Sequence, residues 1–330
     1  MKKILSLLAA LALAVSLAGC GGAASSASRG ASAAVPGASS AQSTPAASAA
    51  QKPAQDRSGA AIALPEEIDA IAVMAPSIAE TVVDLGLGDL IVAIDTQTES
   101  YALEGVPADV PAFDMQAPDT EALAALAPDV VFVSGISIIE GENLFQPLTD
   151  MGICVASIPT SNSLADIKLD IQFLADCLGV SDRGRAINEA FQAELDRIAA
   201  IGQTVPEDEK KTVYFEISAA PYCYSFGSGV FLNEMLELIG AENVLAGQEG
   251  WVNVSEEAVV AANPDVILTN VNYIDAPVDE ILSRAGWEGV AAVQNGDVYA
   301  VDNKTSSLPN EYVLQALEEM AQAIYPDLYA

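Results

Sequence analysis

The sequence predicts an α/β protein: two βα lobes with mostly parallel sheets, joined by a single long rigid helix, with a cleft between the lobes. Three observations predict it. Short apolar runs alternate with helical patterns from Ile68 and again from Thr212, the rhythm of parallel sheets covered by helices. That rhythm breaks between 163 and 203, where two amphipathic helical patterns follow each other. Finally, "TEALAALAPDVVFV" (120–133) nearly returns as "EEAVVAANPDVILT" (256–269). Glu121 and Glu257, then Pro128-Asp129 and Pro264-Asp265, fall at matching offsets.

In chain order, "AIAVMAPS" reads as a buried strand. "SIAETVVDLGL" follows as a helix, with Ser77 at its N-cap, Glu80 three residues on and Gly86 near its end. "LIVAID" is the second strand, and a loop spans 96–118. A helix over Asp119–Leu126, the strand "DVVFVS", the helix "NLFQPLTDMG" and the strand "ICVASIP" complete the first lobe. "SLADIKLDIQFLADCLG" is a helix capped by Ser163 and closed by Gly179. "SDRGRAINEAFQAELDRIAAIG", capped by Ser181, carries Ile187, Phe191, Leu195 and Ile198 at helical spacing. At 1.5 Å per residue it is about 30 Å long. The βα rhythm then resumes with "TVYFEI", "VFLNEMLELIGAENV", the second Glu–Pro-Asp unit, "VYAVD" and a closing helix through "NEYVLQALEEMAQAIY". The expected boundaries are 61–180 for the first lobe, 181–203 for the connecting helix and 204–330 for the second lobe.

The charge balance narrows the function classes. The 330 residues carry 13 basic and 46 acidic side chains, a formal charge of −33, and no His. Nucleic acid and anionic membrane surfaces repel such a chain. His-dependent triads and His-ligated metal or haem sites are excluded. The sequence contains no G-x-S-x-G, no nucleophile–base pair and no phosphate loop, and Asp114 and Asp119 are loop acids without an evident partner. No catalytic residue and no cofactor is therefore expected. A surface hydrolase working through paired carboxylates stays as one alternative.

"MKKILSLLAALALAVSLAGC" opens with Lys2-Lys3 and continues apolar from Ile4. It is too short and wrongly flanked for a membrane span and reads as an export signal. Its end, Leu17-Ala18-Gly19-Cys20, resembles the lipobox of bacterial lipoproteins. That resemblance implies removal of 1–19 and lipidation of Cys20, which holds the protein at a membrane without crossing it. Residues 20–60 are mostly Ala, Ser, Gly, Pro and Gln. They are expected to be a disordered tether whose ends lie about 35 Å apart. Of the remaining cysteines, Cys154 and Cys177 could pair within one lobe, or all three with Cys223 could be buried free thiols.

The strand C-termini of both lobes are expected to face the shared cleft, where open α/β sheets bind ligands. Candidate ligand contacts are therefore residues in loops after strands: Ser77, Tyr101, Met115 and Gln116 in the first lobe. In the second they are Tyr222, Tyr224, Phe226, Trp251, Asn272, Tyr273, Asn303 and Ser306. Aromatic walls with a few hydrogen-bonding groups suit a large, rigid, partly apolar ligand. Lys304 and Arg284 are the basic residues in or beside the second lobe's candidate loops, which weighs against a highly anionic chelate.

From residue 61 onward the chain resembles the substrate-binding lipoproteins of ABC importers, in the class that handles ferric siderophores, haem and cobalamin. "APSIAETVVDLGLGDLIVAID", "DTEALAALAPDVVFVS", "GSGVFLNEMLELIGAENV", "WVNVSEEAVVAANPDVIL" and "NGDVYAVD" carry the resemblance by their order and spacing. It implies an extracytoplasmic monomer, held at the outer face of the cytoplasmic membrane by Cys20. Such a receptor passes a ferric siderophore or cobalamin to ABC permease subunits. The resemblance further implies that one surface Glu per lobe docks on an Arg-containing permease pocket. Glu121 and Glu257 fall at the matching positions, with Glu256 competing for the second. Trp251 fits the family's pattern as a ligand contact. Met115 replaces the aromatic of cobalamin binders. A same-fold receptor for haem, a free metal ion or a small organic ligand stays as an alternative.

Overall fold

The computed structural model describes residues 52–329; the leader, Cys20 and the chain to residue 51 lie outside them. The first lobe contains β1 (Ile71–Met74), α1 (Pro76–Asp84), β2 (Ile91–Asp95), α2 (Thr96–Tyr101), β3 (Ala112–Phe113), α3 (Thr120–Ala125) and β4 (Val130–Ser134). It continues with a small hairpin, β5 (Ile138–Ile139) and β6 (Glu142–Asn143), then α4 (Gln146–Asp150) and β7 (Cys154–Ile158). Five strands form a parallel sheet in the order β3-β2-β1-β4-β7. Alternate residues serve opposite faces. Ile71, Val73, Val130 and Phe132 pack with Ile78 and Val82 of α1, while Ala72, Met74, Val131 and Val133 pack with Leu123, Phe145 and Leu148. Burial on both faces explains why β1 and β4 read as continuous apolar runs.

Next come α5 (Leu164–Cys177) and α6 (Ser181–Gly202). Ser163 caps α5 by accepting from the Asp166 amide. The chain crosses between lobes once, through α6. Its Phe191, Leu195 and Ile198 enter the second lobe's core, and Ile187 touches the cores of both lobes. Helix α5 also serves both sides: Phe173 and Leu174 belong to the first core, Ile167 and Ile171 to the second. The bridge is thus two helices thick. Gly202 ends α6 against the turn after the next long helix, where a Cβ would come within 2.1 Å of the Leu238 carbonyl oxygen.

The second lobe holds β8 (Thr212–Glu216), β9 (Tyr224–Phe226), α7 (Phe231–Ile239), β10 (Glu242–Asn243), β11 (Trp251–Asn253), α8 (Glu256–Ala262) and β12 (Val266–Thr269). It ends with α9 (Pro277–Leu282), α10 (Ala291–Asn295), β13 (Val298–Ala300), α11 (Asn303–Ser307) and α12 (Val313–Ile324). Its parallel sheet has the order β10-β8-β12-β13, and β9 and β11 form a separate antiparallel ladder.

The repeated Pro-Asp has a structural job. Asp129 Oδ2 accepts from the amides of Asp69 and Ala70 at 2.8 and 2.9 Å, just before β1. Asp265 Oδ2 accepts from the Thr212 amide and hydroxyl at 2.9 and 2.7 Å, at the start of β8. Each carboxylate ties the start of its own strand to the neighbouring one and so sets the same register in both lobes.

Four local expectations change. The cap position of α1 is Ala75 with Pro76 at the first turn, because proline's fixed φ suits that place; Ser77 lies inside the helix. Val180, not Ser181, precedes α6, without a side-chain cap. The expected loop over 96–118 contains α2 and β3, started by Asp95, which accepts from the Gln97 and Thr98 amides. Residues 52–60, expected to be part of a tether, pack on the first lobe. Lys52 donates to the Pro65 and Glu66 carbonyls, Asp56 is buried, and Arg57 pairs with Asp170. This stretch carries charged side chains that find partners on the lobe. Cys154, Cys177 and Cys223 are free thiols.

Candidate ligand cavity and docking faces

In the first sheet the strand order reverses direction at β1 and β4, and crevices form outside the carboxyl ends of strands at such a switch point. A cavity of about 230 Å³ lies there. Its wall is made by the turn from β1 into α1 (Ala75–Ile78), the end of β4 (Ser134, Ile136) and the end of β7 (Ile158–Ser161). Tyr101 and Met115 add to it, as do Asp170, Ile171 and Leu174 of α5. The second lobe contributes Ser307–Pro309. Among the described residues lining it there is no Lys or Arg, and one acid, Asp170. The lining is chiefly apolar with hydroxyl groups interspersed, and Ser134 Oγ is buried without a hydrogen-bond partner.

Both basic residues flagged in the second lobe are neutralised by carboxylates. Lys304 pairs with Glu80 of α1 and sits 5.7 Å from the centre of the Tyr101 ring. Asn310 Nδ2 donates to the same Glu80 at 2.5 Å. These contacts fasten the lobes beside the cavity, together with Thr81 Oγ1, which donates to Glu311 Oε2 at 3.1 Å. Burial, with Asp84 beside it, pushes the Glu311 carboxyl up to about 8. Arg284 is buried, donating to both oxygens of Glu216 at 2.7 and 3.0 Å and to Glu280, and it lies 4.4 Å from the Trp287 ring centre. Neither is an uncompensated cation for an anionic ligand.

The candidate residues separate into groups. Ser77, Tyr101 and Met115 line the cavity; Gln116 is exposed outside it. Tyr224 and Trp251 stack, with ring centres 6.4 Å apart and planes 10° apart, and Trp251 is 39% exposed. Tyr222 and Tyr273 are 82% and 63% exposed, and the Tyr273 hydroxyl accepts from the Ala219 amide at 2.8 Å. Asn272 is exposed. These second-lobe groups are not in the cavity wall. Two expectations are corrected. Phe226 is fully buried, edge-on to Trp251 at 6.1 Å, and so supports that ring from the core. Ser306 is buried, donating to the Asp302 carbonyl and accepting from Asn270 Nδ2 at 2.9 Å. Asn303 donates to the Asn270 carbonyl at 2.7 Å. Both shape the loop that brings Ser307–Pro309 to the cavity. The expectation missed the turns after β4 and β7, although "VFVSGI" and "ASIPTS" each follow a strand. It also missed Asp170, which sits mid-helix with no local signal.

Glu121 and Glu257 occupy the same place in their lobes. Each is the second residue of a short helix, after Asp119 capping α3 and Ser255 capping α8, and each is exposed. Glu256 is half-buried, so Glu257 is the outward member of its pair. Among the described residues no helix is long and apolar enough to cross a membrane, and no group of three acidic or Cys side chains is placed to hold a metal ion.

Residues 71–305 match the family model described as periplasmic binding protein. An uncharacterized ABC transporter substrate-binding lipoprotein of Bacillus subtilis, YvrC, is 31% identical over 83% of this chain and 85% of its own length. A cobalamin-binding protein of Halobacterium salinarum is 25% identical over 82% of this chain and 73% of its own. The molybdate-binding protein MolA of Haemophilus influenzae, solved with molybdate, superimposes with a TM-score of 0.71. It is 24% identical and covers 83% of this chain and 91% of that one. With its fold, its carboxyl-edge cavity and a family match spanning most of its length, this chain belongs to the periplasmic binding protein family, as a substrate-binding protein of the ABC-transporter type.

Proposed function

We propose that the protein is a lipid-anchored extracytoplasmic receptor that captures cobalamin or an iron chelate and delivers it to an ABC permease, docking through Glu121 and Glu257. The observation that carries the ligand class is the cavity's lining: apolar, rich in hydroxyls and without Lys or Arg. A charged carboxylate or catecholate chelate would lose hydration there without a cation to replace it. A neutral corrinoid or hydroxamate complex would not. The cavity accepts only part of such a ligand, and the Tyr224–Trp251 stack offers an aromatic surface for the remainder. The cobalamin-binding relative supports the same class.

One observation favours a second reading. The first turn of α1 opens into the cavity through Ser77 and Ile78, and unpaired amides of a helix start bind oxyanions. Beside the unpartnered Ser134 hydroxyl, this arrangement would suit a small oxyanion, and a relative 28% identical is named as a molybdate-binding protein. Calorimetric titration of the full chain with cyanocobalamin, ferrichrome, a ferric catecholate, haem and molybdate separates the readings. Submicromolar binding of cyanocobalamin or ferrichrome supports the first. Binding of molybdate alone replaces it with the second. The docking role is tested separately. Glu121→Ala with Glu257→Ala leaves ligand affinity unchanged and lowers cellular uptake of the bound probe about tenfold or more; unchanged uptake removes that role.

A further inference from the structure

The segment before the first lobe is tied to the cavity wall through one wall residue, Asp170. Gln55 and Ala61 form an antiparallel bridge that closes a strap around Asp56. Asp56 Oδ1 accepts from the Ser58 and Ala60 amides, both at 2.9 Å, and its Oδ2 accepts from the Ser157 amide at 3.0 Å. The Arg57 amide donates to the Ser157 carbonyl at 3.1 Å. The strap therefore runs along β7, the last strand of the sheet on that side, and covers its open edge.

Arg57 carries the strap's influence inward. Its Nε donates to Asp170 Oδ1 at 2.5 Å, and its terminal amino group lies 3.7 Å from Asp166, one turn earlier on α5. Asp170 is 7% exposed and lines the cavity. Its other oxygen accepts from Ser161 Oγ at 2.6 Å, and Ser161, 4% exposed, also lines the cavity. An ionised carboxylate accepts only, so Ser161's single proton is committed to Asp170 and its oxygen keeps lone pairs for another partner. A protonated Asp170 would reverse this, because it could donate to Ser161 and free the hydroxyl proton. Burial, with Asp166 adding to it, holds the Asp170 carboxyl above its ordinary value, and the Arg57 guanidinium and the Ser161 hydroxyl pull it back down. The charged groups facing Asp170 are Arg57 from the strap and Asp166 from its own helix.

We propose that Arg57 is a positioning residue of the ligand cavity: through Asp170 it holds Ser161 as a hydrogen-bond acceptor, selecting ligands that present a neutral N–H or O–H donor, such as a carboxamide, to this wall. The proposal rests on the cavity being the ligand site. It makes the strap over 55–61 a part of that site.

The test uses the full chain with cyanocobalamin, whose corrin ring carries carboxamides, as the probe. Arg57→Gln weakens binding about tenfold, the worth of one charge-assisted hydrogen bond. Arg57→Lys, which keeps the charge, restores most of the affinity. In an Asp170→Asn background, Arg57→Gln changes affinity less than about twofold, because the two act as one unit. Unchanged affinity in Arg57→Gln overturns the proposal. So does a loss that Lys does not restore and that persists undiminished in the Asp170→Asn background, which is the pattern of a strap that merely stabilises. A ligand-free measurement runs alongside. In carboxyl-carbon NMR of the full chain, the Asp170 titration midpoint rises in Arg57→Gln, because the guanidinium that favours the ionised form is gone; no rise overturns the proposal. If the midpoint rises and the wild-type chain does not bind cyanocobalamin, the Arg57–Asp170 link stands and the corrinoid reading falls.

Discussion

The two lobes share one plan and use the same place in it differently. Met74 pairs with Val133, four residues after Asp129, and Glu216 pairs with Thr269, four residues after Asp265. At this matched position the first lobe has an apolar side chain, and β1 turns through Ala75 straight into α1, leaving an open crevice. The second lobe has a carboxylate there, and Arg284 fills its carboxyl edge by bonding Glu216 and Glu280. One edge is left open, and the other is closed by its own charges. The contrast teaches that similar strands and registers do not make equivalent binding edges. What occupies the last position of the strand, and what that residue recruits, decides.

Changes at the closed edge should affect folding most. Arg284→Met leaves Glu216 buried with no counter-ion, and a broken buried pair costs about 3–5 kcal/mol. Denaturant unfolding should show that loss, and adding Glu216→Met should recover most of it, since a well-packed apolar pair replaces an ion pair at little cost. If the single change costs less than about 1 kcal/mol, the closed edge is not held by charge.

The interface between the lobes should respond to pH. Glu311 has its folded carboxyl raised by burial to about 8, above an unfolded value of about 4.3. The folded state therefore holds the extra proton. Its contribution is complete below the unfolded value and is lost as pH rises through the folded one, by at most about 1.4 kcal/mol per pH unit. Stability measured from pH 5 to 8 should fall, and Glu311→Gln should flatten that slope. An identical slope in the variant would place the titration elsewhere.

The open edge should show the reverse balance. Ser134→Ala removes a buried hydroxyl without a partner, so stability should change by no more than about 0.5–1 kcal/mol and not downward. Affinity for the ligand should fall if that hydroxyl meets it. Smallest in stability are Glu121→Gln and Glu257→Gln, each about 0.3–1 kcal/mol through the helix-start charge. A larger loss on thermal unfolding would make these carboxylates structural.

Much of this plan was legible in the sequence. β1 and β4 stand out because a strand buried on both faces must be apolar throughout, and the Pro-Asp repeat marks the shared register. The long helix was legible through Phe191, Leu195 and Ile198. The site was harder to read. Tyr101, the last residue of α2, and Met115 come to the cavity from the segment after β2, which reads as a loop following a strand. Phe226 and Ser306 misled because an aromatic at the end of a strand, or a serine beyond one, looks the same whether it faces a ligand or supports its neighbour. Asp170 and Arg57 lie 113 positions apart, a pairing that no local pattern reveals. The start of α1 was misplaced by two residues, Ser77 for Ala75, because a serine looks like a cap while Pro76 already holds the first turn.

The central claim is that ligand binds at the open carboxyl edge of the first lobe and reaches the aromatic stack of the second. Hydrogen exchange of the full chain, with and without cyanocobalamin or ferrichrome, tests it most directly. Ligand should slow exchange in segments 75–78, 134–136, 158–161 and 251–253, and leave the buried pair at Glu216 and Arg284 unchanged. Protection centred on 216–222, with none at 134–136 and 158–161, would contradict the account.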